Sequence, residues 1–184
     1  MAEKQFENMI EKALAAGASG ADVIKTEEIV TDAAFRDICA TNQCGVYGKC
    51  WMCPPDVGDI GELTKVVRSY RYALVYQKVY PLEDSFDIEG MQSAKNDFGK
   101  LIQTMRRSFP APEVLHLGAG GCGVCEICAK REDLPCRFPD LAVASLEGYG
   151  INVSKLAASA GMKYINGQDT VTYFGAVLFS EPDL

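Results

Sequence analysis

The sequence predicts an α/β (or α+β) fold: a small mixed sheet of about four strands, with helices packed on it and two cysteine-rich metal-binding loops. Three observations lead there. Segments of helical and of strand periodicity alternate along the chain. No repeat, linker or low-complexity tract divides the 184 residues, so one cysteine-rich metal-binding domain over 1–184 is expected. The 8 cysteines collect in two stretches between the periodic segments.

Residues 3–16 place Phe6, Met9, Ile10, Ala13 and Leu14 at helical spacing, and Gly17 ends the run. Ala21–Lys25 reads as a strand, extended through Ile29 and Val30. Thr31 and Asp32 cap a short helix running to about Ile38. Residues 39–58 carry four cysteines, two prolines and three glycines, a loop composition. A helix over Ile60–Tyr70 leads into Tyr72–Tyr80, the strongest strand signal in the chain. Asp87–Ser108 is a long amphipathic helix with Ile88, Met91, Phe98, Leu101, Ile102 and Met105 on one side; Pro110 and Pro112 end it. Val114–Leu117 is a third strand, and Gly118–Gly121 delivers the chain to the second cysteine group. Short helices are expected over Leu141–Leu146 and Val153–Ala160, with Gly161 as the stop, before a last strand over Thr170–Phe179.

A chain that is 48% hydrophobic and 23% charged can bury a core. Its 18 Lys and Arg against 25 Asp and Glu, a net charge of -7, argue against nucleic-acid or anionic-membrane binding, which needs clustered cations. Met1–Glu7 is charged and helical in pattern without an apolar signal core, and no stretch approaches the roughly 18 apolar residues of a membrane span. A cytoplasmic protein is expected. Cytoplasm keeps thiols reduced, so eight cysteines there point to metal ligation rather than disulfides.

The spacing sharpens that point. The first group is Cys39-x4-Cys44-x5-Cys50-x2-Cys53; the second is Cys122-x2-Cys125-x2-Cys128-x7-Cys136. Each spans 15 residues and holds four cysteines, one full coordination sphere. In the second, three closely spaced thiolates wrap one corner of a cubane and a fourth arrives from further on, as in ferredoxin runs. Pro135 precedes the last cysteine rather than following it, and the gap of seven is longer than usual. Zinc ribbons use two separate knuckles and structural zinc often recruits histidine, but the chain has 1 His. Iron–sulfur is favoured over zinc. Gly118, Gly120, Gly121 and Gly123 would let bare backbone approach the sulfides.

The first group is less diagnostic. Cys50-x2-Cys53 is a single knuckle, and Cys39 reads either as a ligand or as a small buried residue at a helix end. In the second case three ligands leave an open iron, the architecture of a catalytic cluster. Tyr47 and Trp51 flank these ligands and either shield a cluster or simply pack under the loop. The dithiol spacing of Cys50/Cys53 and Cys125/Cys128 also matches redox-relay motifs, but a relay needs one such pair, not two quartets. Gly118–Gly123 formally matches a dinucleotide fingerprint, with Asp140 near the expected acid, yet the following segment carries Cys125 and Cys128 and leaves no room for a second nucleotide-binding half. His116, in an apolar strand, reads as a hydrogen-bonded core residue. Lys130, Arg131 and Arg137 beside the second group read as solvated surface, or as cations that offset cluster charge.

Cys44-Gly-Val-Tyr-Gly-Lys-Cys-Trp-Met-Cys-Pro-Pro55, the Cys122–Cys136 run, Arg137-x-Pro139 and Ser145–Val153 together resemble the small "predicted metal-binding protein" family, domain of unknown function 2284. The resemblance spans about Cys39 to Phe179. It implies metal binding through these cysteines and a setting among anaerobic bacteria and archaea, and it implies no particular reaction. The expected function is that of an iron–sulfur protein with two [4Fe–4S] clusters, on Cys39, Cys44, Cys50, Cys53 and on Cys122, Cys125, Cys128, Cys136, moving single electrons to or from a redox partner protein. Three alternatives stay open: an enzyme whose three-cysteine cluster binds substrate or sulfide at an open iron, a single cluster, and a structural zinc-binding interaction protein. Homo-oligomerisation would protect exposed clusters.

Overall fold

The computed structural model describes residues 2–110 and 113–181; Pro112, expected to help end the long helix, lies outside them. Among the described residues five α-helices and five strands follow in the order α1 Ala2–Ala15, β1 Gly20–Lys25, α2 Ala34–Ala40, α3 Ile60–Ser69, β2 Tyr72–Pro81, α4 Ile88–Ser108, β3 Leu115–Gly118, β4 Ala144–Ser145, α5 Val153–Ser159 and β5 Thr170–Phe179. The strands form one mixed sheet in the order β1-β2-β5-β3-β4, antiparallel throughout except for the parallel pair β3–β4. Side-chain acceptors set several helix starts: Asp59 receives the amides of Gly61 and Glu62, Asp87 that of Gly90, and Asn152 that of Lys155. Among the described residues no helix is long and apolar enough to cross a membrane.

Both faces of the sheet are covered, and strand alternation decides which residue goes where. Ala73 and Val75 of β2, with Phe174, Ala176 and Leu178 of β5, join Leu63, Val67 and Leu156 from α3 and α5. Leu74 and Tyr76, with Val177 and Phe179, meet Met9, Phe98, Leu101 and Met105 from α1 and α4 on the opposite face.

Two sequence expectations differ from the structure. β1 stops at Lys25 instead of running through Ile29 and Val30, because the chain turns: Thr26 Oγ1 donates to the Tyr70 carbonyl at 2.5 Å and the Lys25 amide donates to the Glu28 carboxylate at 3.0 Å. No helix covers Leu141–Leu146. A 3-10 turn at Pro139–Leu141 is followed by β4, where Ala144 and Ser145 pair with Leu117 and Gly118, and a second 3-10 turn spans Glu147–Tyr149. Burial of Val143–Leu146 beside β3 outweighs the weak helical preference of so short a run.

The parallel pairing of β3 and β4 means that both strands release the chain at the same end of the sheet. The Leu146 amide bonds back to the Gly118 carbonyl at 2.9 Å, so the loop after β3 and the turn after β4 start side by side. The Asp32 amide donates to the Gly150 carbonyl at 2.8 Å and Thr31 bridges Ile151, which draws the start of α2 to the same place. Gly150 permits this approach: its φ is +71°, and a Cβ there would stand 3.1 Å from the Asp32 carbonyl oxygen.

His116 is buried in the core, and its Nε2–H donates to the Phe109 carbonyl at 2.7 Å, as the packing reading expects. Burial lowers its pKa from 6.5 to about 4, so between those values the unfolded chain takes up a proton that the folded chain refuses. Stability therefore falls as the pH drops through the unfolded value. Between about pH 7.5 and about pH 5.5 the loss from this residue is about 1 kcal/mol. Urea titrations should show that slope, and it should be absent in His116→Gln; equal slopes in the two proteins would refute the assignment.

Candidate metal centre

All eight cysteines collect at the end of the sheet where β3 and β4 release the chain, around two neighbouring spaces. The larger, a cavity of about 300 Å³, is walled by Cys39, Cys44 and Cys53 together with Glu147, Phe35 and Tyr47. The smaller, about 30 Å³, is ringed by Cys50, Cys122, Cys125, Cys128 and Cys136, with Trp51 against it. Cys50 and Cys53 belong to one tight turn, closed by the Cys53 amide on the Cys50 carbonyl at 3.0 Å, yet they line different spaces.

Long-range ties explain why Cys50 sits with the second group. The Trp51 indole N–H donates to the Leu134 carbonyl at 2.9 Å. Lys130 Nζ lies 4.4 Å from the centre of the Trp51 ring and 3.0 Å from both Asp56 and Asp133. These contacts clamp residues 50–56 onto residues 128–136. Lys130, which composition suggests as solvated surface, has a side chain only 17% exposed and acts as a clasp. Arg137 braces the same loop by donating to the Ile127 carbonyl at 2.8 Å.

The cysteine environments are uneven. Hydrogen bonds hold the Cys50 thiol below the ordinary range, first from the Cys53 thiol, then from the amides of Cys122 and Met52 and from the Cys128 thiol. Its partner Cys53 is pushed up, because one proton is shared and Cys50 takes the negative charge. Burial raises Cys122, against donation from the Val143 and Val124 amides. Burial also raises Cys39, reinforced by the Glu147 carboxylate and the Cys44 thiolate, while Arg36 opposes them. Cys39 is not a core residue: α2 buries none of its side chains, and Cys39 faces the larger cavity.

Glu147 is the site residue that cysteine spacing does not reveal. It is the one charged residue in the run Leu141–Val153. The turn after β4 carries it to the cavity wall beside Cys39, burial raises its pKa, and the Ser145 hydroxyl donates to it. Near Cys39, Arg36 Nη2 donates to the Pro55 carbonyl at 3.3 Å, while Arg36 Nη1 is buried without a partner among the described residues. Among the described residues no three His, Cys, Asp or Glu side chains converge closely enough to hold a metal ion as they stand.

The observation that decides the family is a family model that matches most of the chain, both cysteine-lined spaces included. The chain belongs to the DUF2284 family of predicted metal-binding proteins. The family model matches residues 22–179, which takes in all eight cysteines, Glu147 and the strands β2 to β5. No curated protein and no solved structure matches the chain. DUF2284 membership supports metal binding and names no metal.

The donor set of this DUF2284 chain suits a thiolate-held group. Thiolate ligands are tuned by N–H donors, and here the Cys122 and Met52 amides reach the Cys50 sulfur while the Val143 and Val124 amides reach that of Cys122. The smaller space, at about 30 Å³, is only the volume of one water, so a cluster there would spread the Cys122–Cys136 loop. That loop holds no α-helix or strand to resist it. His116 lines neither space.

Proposed function

We propose that the chain is an iron–sulfur protein that holds two [4Fe–4S] clusters and passes single electrons to or from a partner enzyme in the cytoplasm. The Cys50–Cys53 turn carries the reading. It offers one thiol to each of two neighbouring spaces. Clusters held there stand side by side, and an electron entering at one reaches the other without leaving the protein. A donor set of sulfur with backbone N–H donors, and with the one imidazole buried elsewhere, supports iron–sulfur over zinc. A [4Fe–4S] cluster with four thiolates sums to about -2, and one with three to about -1, which deepens the net charge of -7 and suits docking on a basic partner surface with salt-sensitive association.

One observation favours a second reading, an enzyme. The larger cavity offers three thiols, Cys39, Cys44 and Cys53, and the Glu147 carboxyl. A cluster held by three thiolates keeps one iron open to substrate or sulfide, and Glu147 is the group beside it that can accept or release a proton.

Metal and acid-labile sulfide analysis of protein purified without oxygen tests both readings. The expected result is about eight irons and eight sulfides per chain, with an EPR signal on reduction that is broadened by two interacting centres. About half that content would overturn the two-cluster form, and a colourless zinc protein would overturn iron–sulfur altogether. A spectrum altered by added sulfide at one centre only would select the enzyme reading.

A further inference from the structure

A groove of about 480 Å³ runs between α4 and the loop after β3, and its composition is opposite to that of the whole chain. Acids outnumber bases 25 to 18 overall, yet the groove is lined by Lys95, Lys100 and Arg107 and by no Asp or Glu. Among the described residues none of these three cations is ion-paired. Lys95 lies across the loop: its Nζ is 3.6 Å from where a Cβ on Gly120 would stand. The amides of Gly120, Gly121 and Gly123 donate to no backbone carbonyl among the described residues, so N–H groups free of carbonyl partners sit beside the cations. Phe98, Ile102 and Leu141 add an apolar portion to the lining.

Gly99 is a second, independent sign. It lies inside α4, where glycine is about 1 kcal/mol worse than alanine, and a Cβ there would touch nothing within 4 Å. Packing does not require glycine at this position, and its missing side chain leaves the groove open midway between Lys95 and Gln103.

We propose that this groove binds a phosphorylated organic molecule of about mononucleotide size, with its phosphates on Lys95, Arg107 and the glycine amides and its apolar body along α4. Cys122 also lines the groove, so the ligand lies against the wall of the smaller cysteine space. The cations of the site, with Phe98 and Ile102, come from α4, and its opposite wall, Cys122–Val124, is shared with the smaller cysteine space.

Calorimetric titration of the full chain, purified without oxygen, with ADP, pyrophosphate and adenosine tests this. ADP should bind, more weakly at high salt, and more tightly than pyrophosphate or adenosine alone. Gly99→Leu, which closes the groove without disturbing a core contact, and Arg107→Gln should each raise the ADP Kd by about tenfold or more. Lys65→Gln, which removes an exposed cation from α3, should leave it unchanged. Absence of ADP binding, or an affinity that both groove variants leave intact, overturns the proposal. Equal affinity for pyrophosphate and ADP overturns the organic ligand and makes inorganic phosphate the occupant.

Discussion

Cys53→Ser should lose about half of the bound iron and sulfide, whereas Cys50→Ser, three residues earlier in the same turn, should keep nearly all of it. The contrast follows from where the two thiols lie. Cys53 is buried and lines the larger cavity with only Cys39 and Cys44 as fellow cysteines, so its loss leaves two thiols, too few for a cluster. Gly121 packs over it; a Cβ there would make an ordinary contact with the Cys53 sulfur, at 3.8 Å. Cys50 lines the smaller space with four other cysteines, and its removal leaves Cys122, Cys125, Cys128 and Cys136 as a complete set. Grouping by chain order makes the opposite forecast for Cys50, since it would then be one of four ligands beside Cys39, Cys44 and Cys53. Iron and sulfide counts on the two variants decide between the arrangements, and a halved content in Cys50→Ser would restore the grouping by sequence.

Gly175→Ala should be the most damaging small substitution in the sheet, costing about 1–3 kcal/mol or more through overpacking. Gly175 sits in the middle of β5, directly opposite Tyr76 of β2. The Tyr76 ring lies over it so closely that a Cβ would collide with the ring and its hydroxyl. Tyr76 has nowhere to go: it is fully buried, and its ring centre is 5.9 Å from that of Phe98. Its hydroxyl finds no hydrogen-bond partner among the described residues, so the ring is held there by shape. Against a total stability of about 5–15 kcal/mol, such a loss is large. The urea midpoint of Gly175→Ala should fall sharply, and adding Tyr76→Leu should recover part of the loss, because the second change removes the obstacle. Additive effects of the two substitutions would show that the collision is not the cause.

What could be read from the sequence followed the length and regularity of each signal. β5 was legible to the residue because Thr170–Phe179 is long and rich in β-branched and aromatic residues. β4 was not, since Ala144 and Ser145 are too few to show a period and owe their state to pairing with Leu117 and Gly118. The eight cysteines announced themselves by spacing, but their spatial grouping did not. It depends on Trp51 reaching Leu134 and Lys130 reaching Asp56, contacts between segments far apart in the chain. Glu147 left a faint trace as a lone charge in an uncharged run. Its arrival beside Cys39 needed the parallel β3–β4 pair, which no local pattern encodes.

The two hydrophobic clusters on either side of the sheet contain no cysteine. The scaffold can therefore form from apolar burial alone, with the thiols waiting on its rim. Metal binding then becomes a late step in the life of the protein: a metal lost from the rim can be replaced on a chain that stays folded.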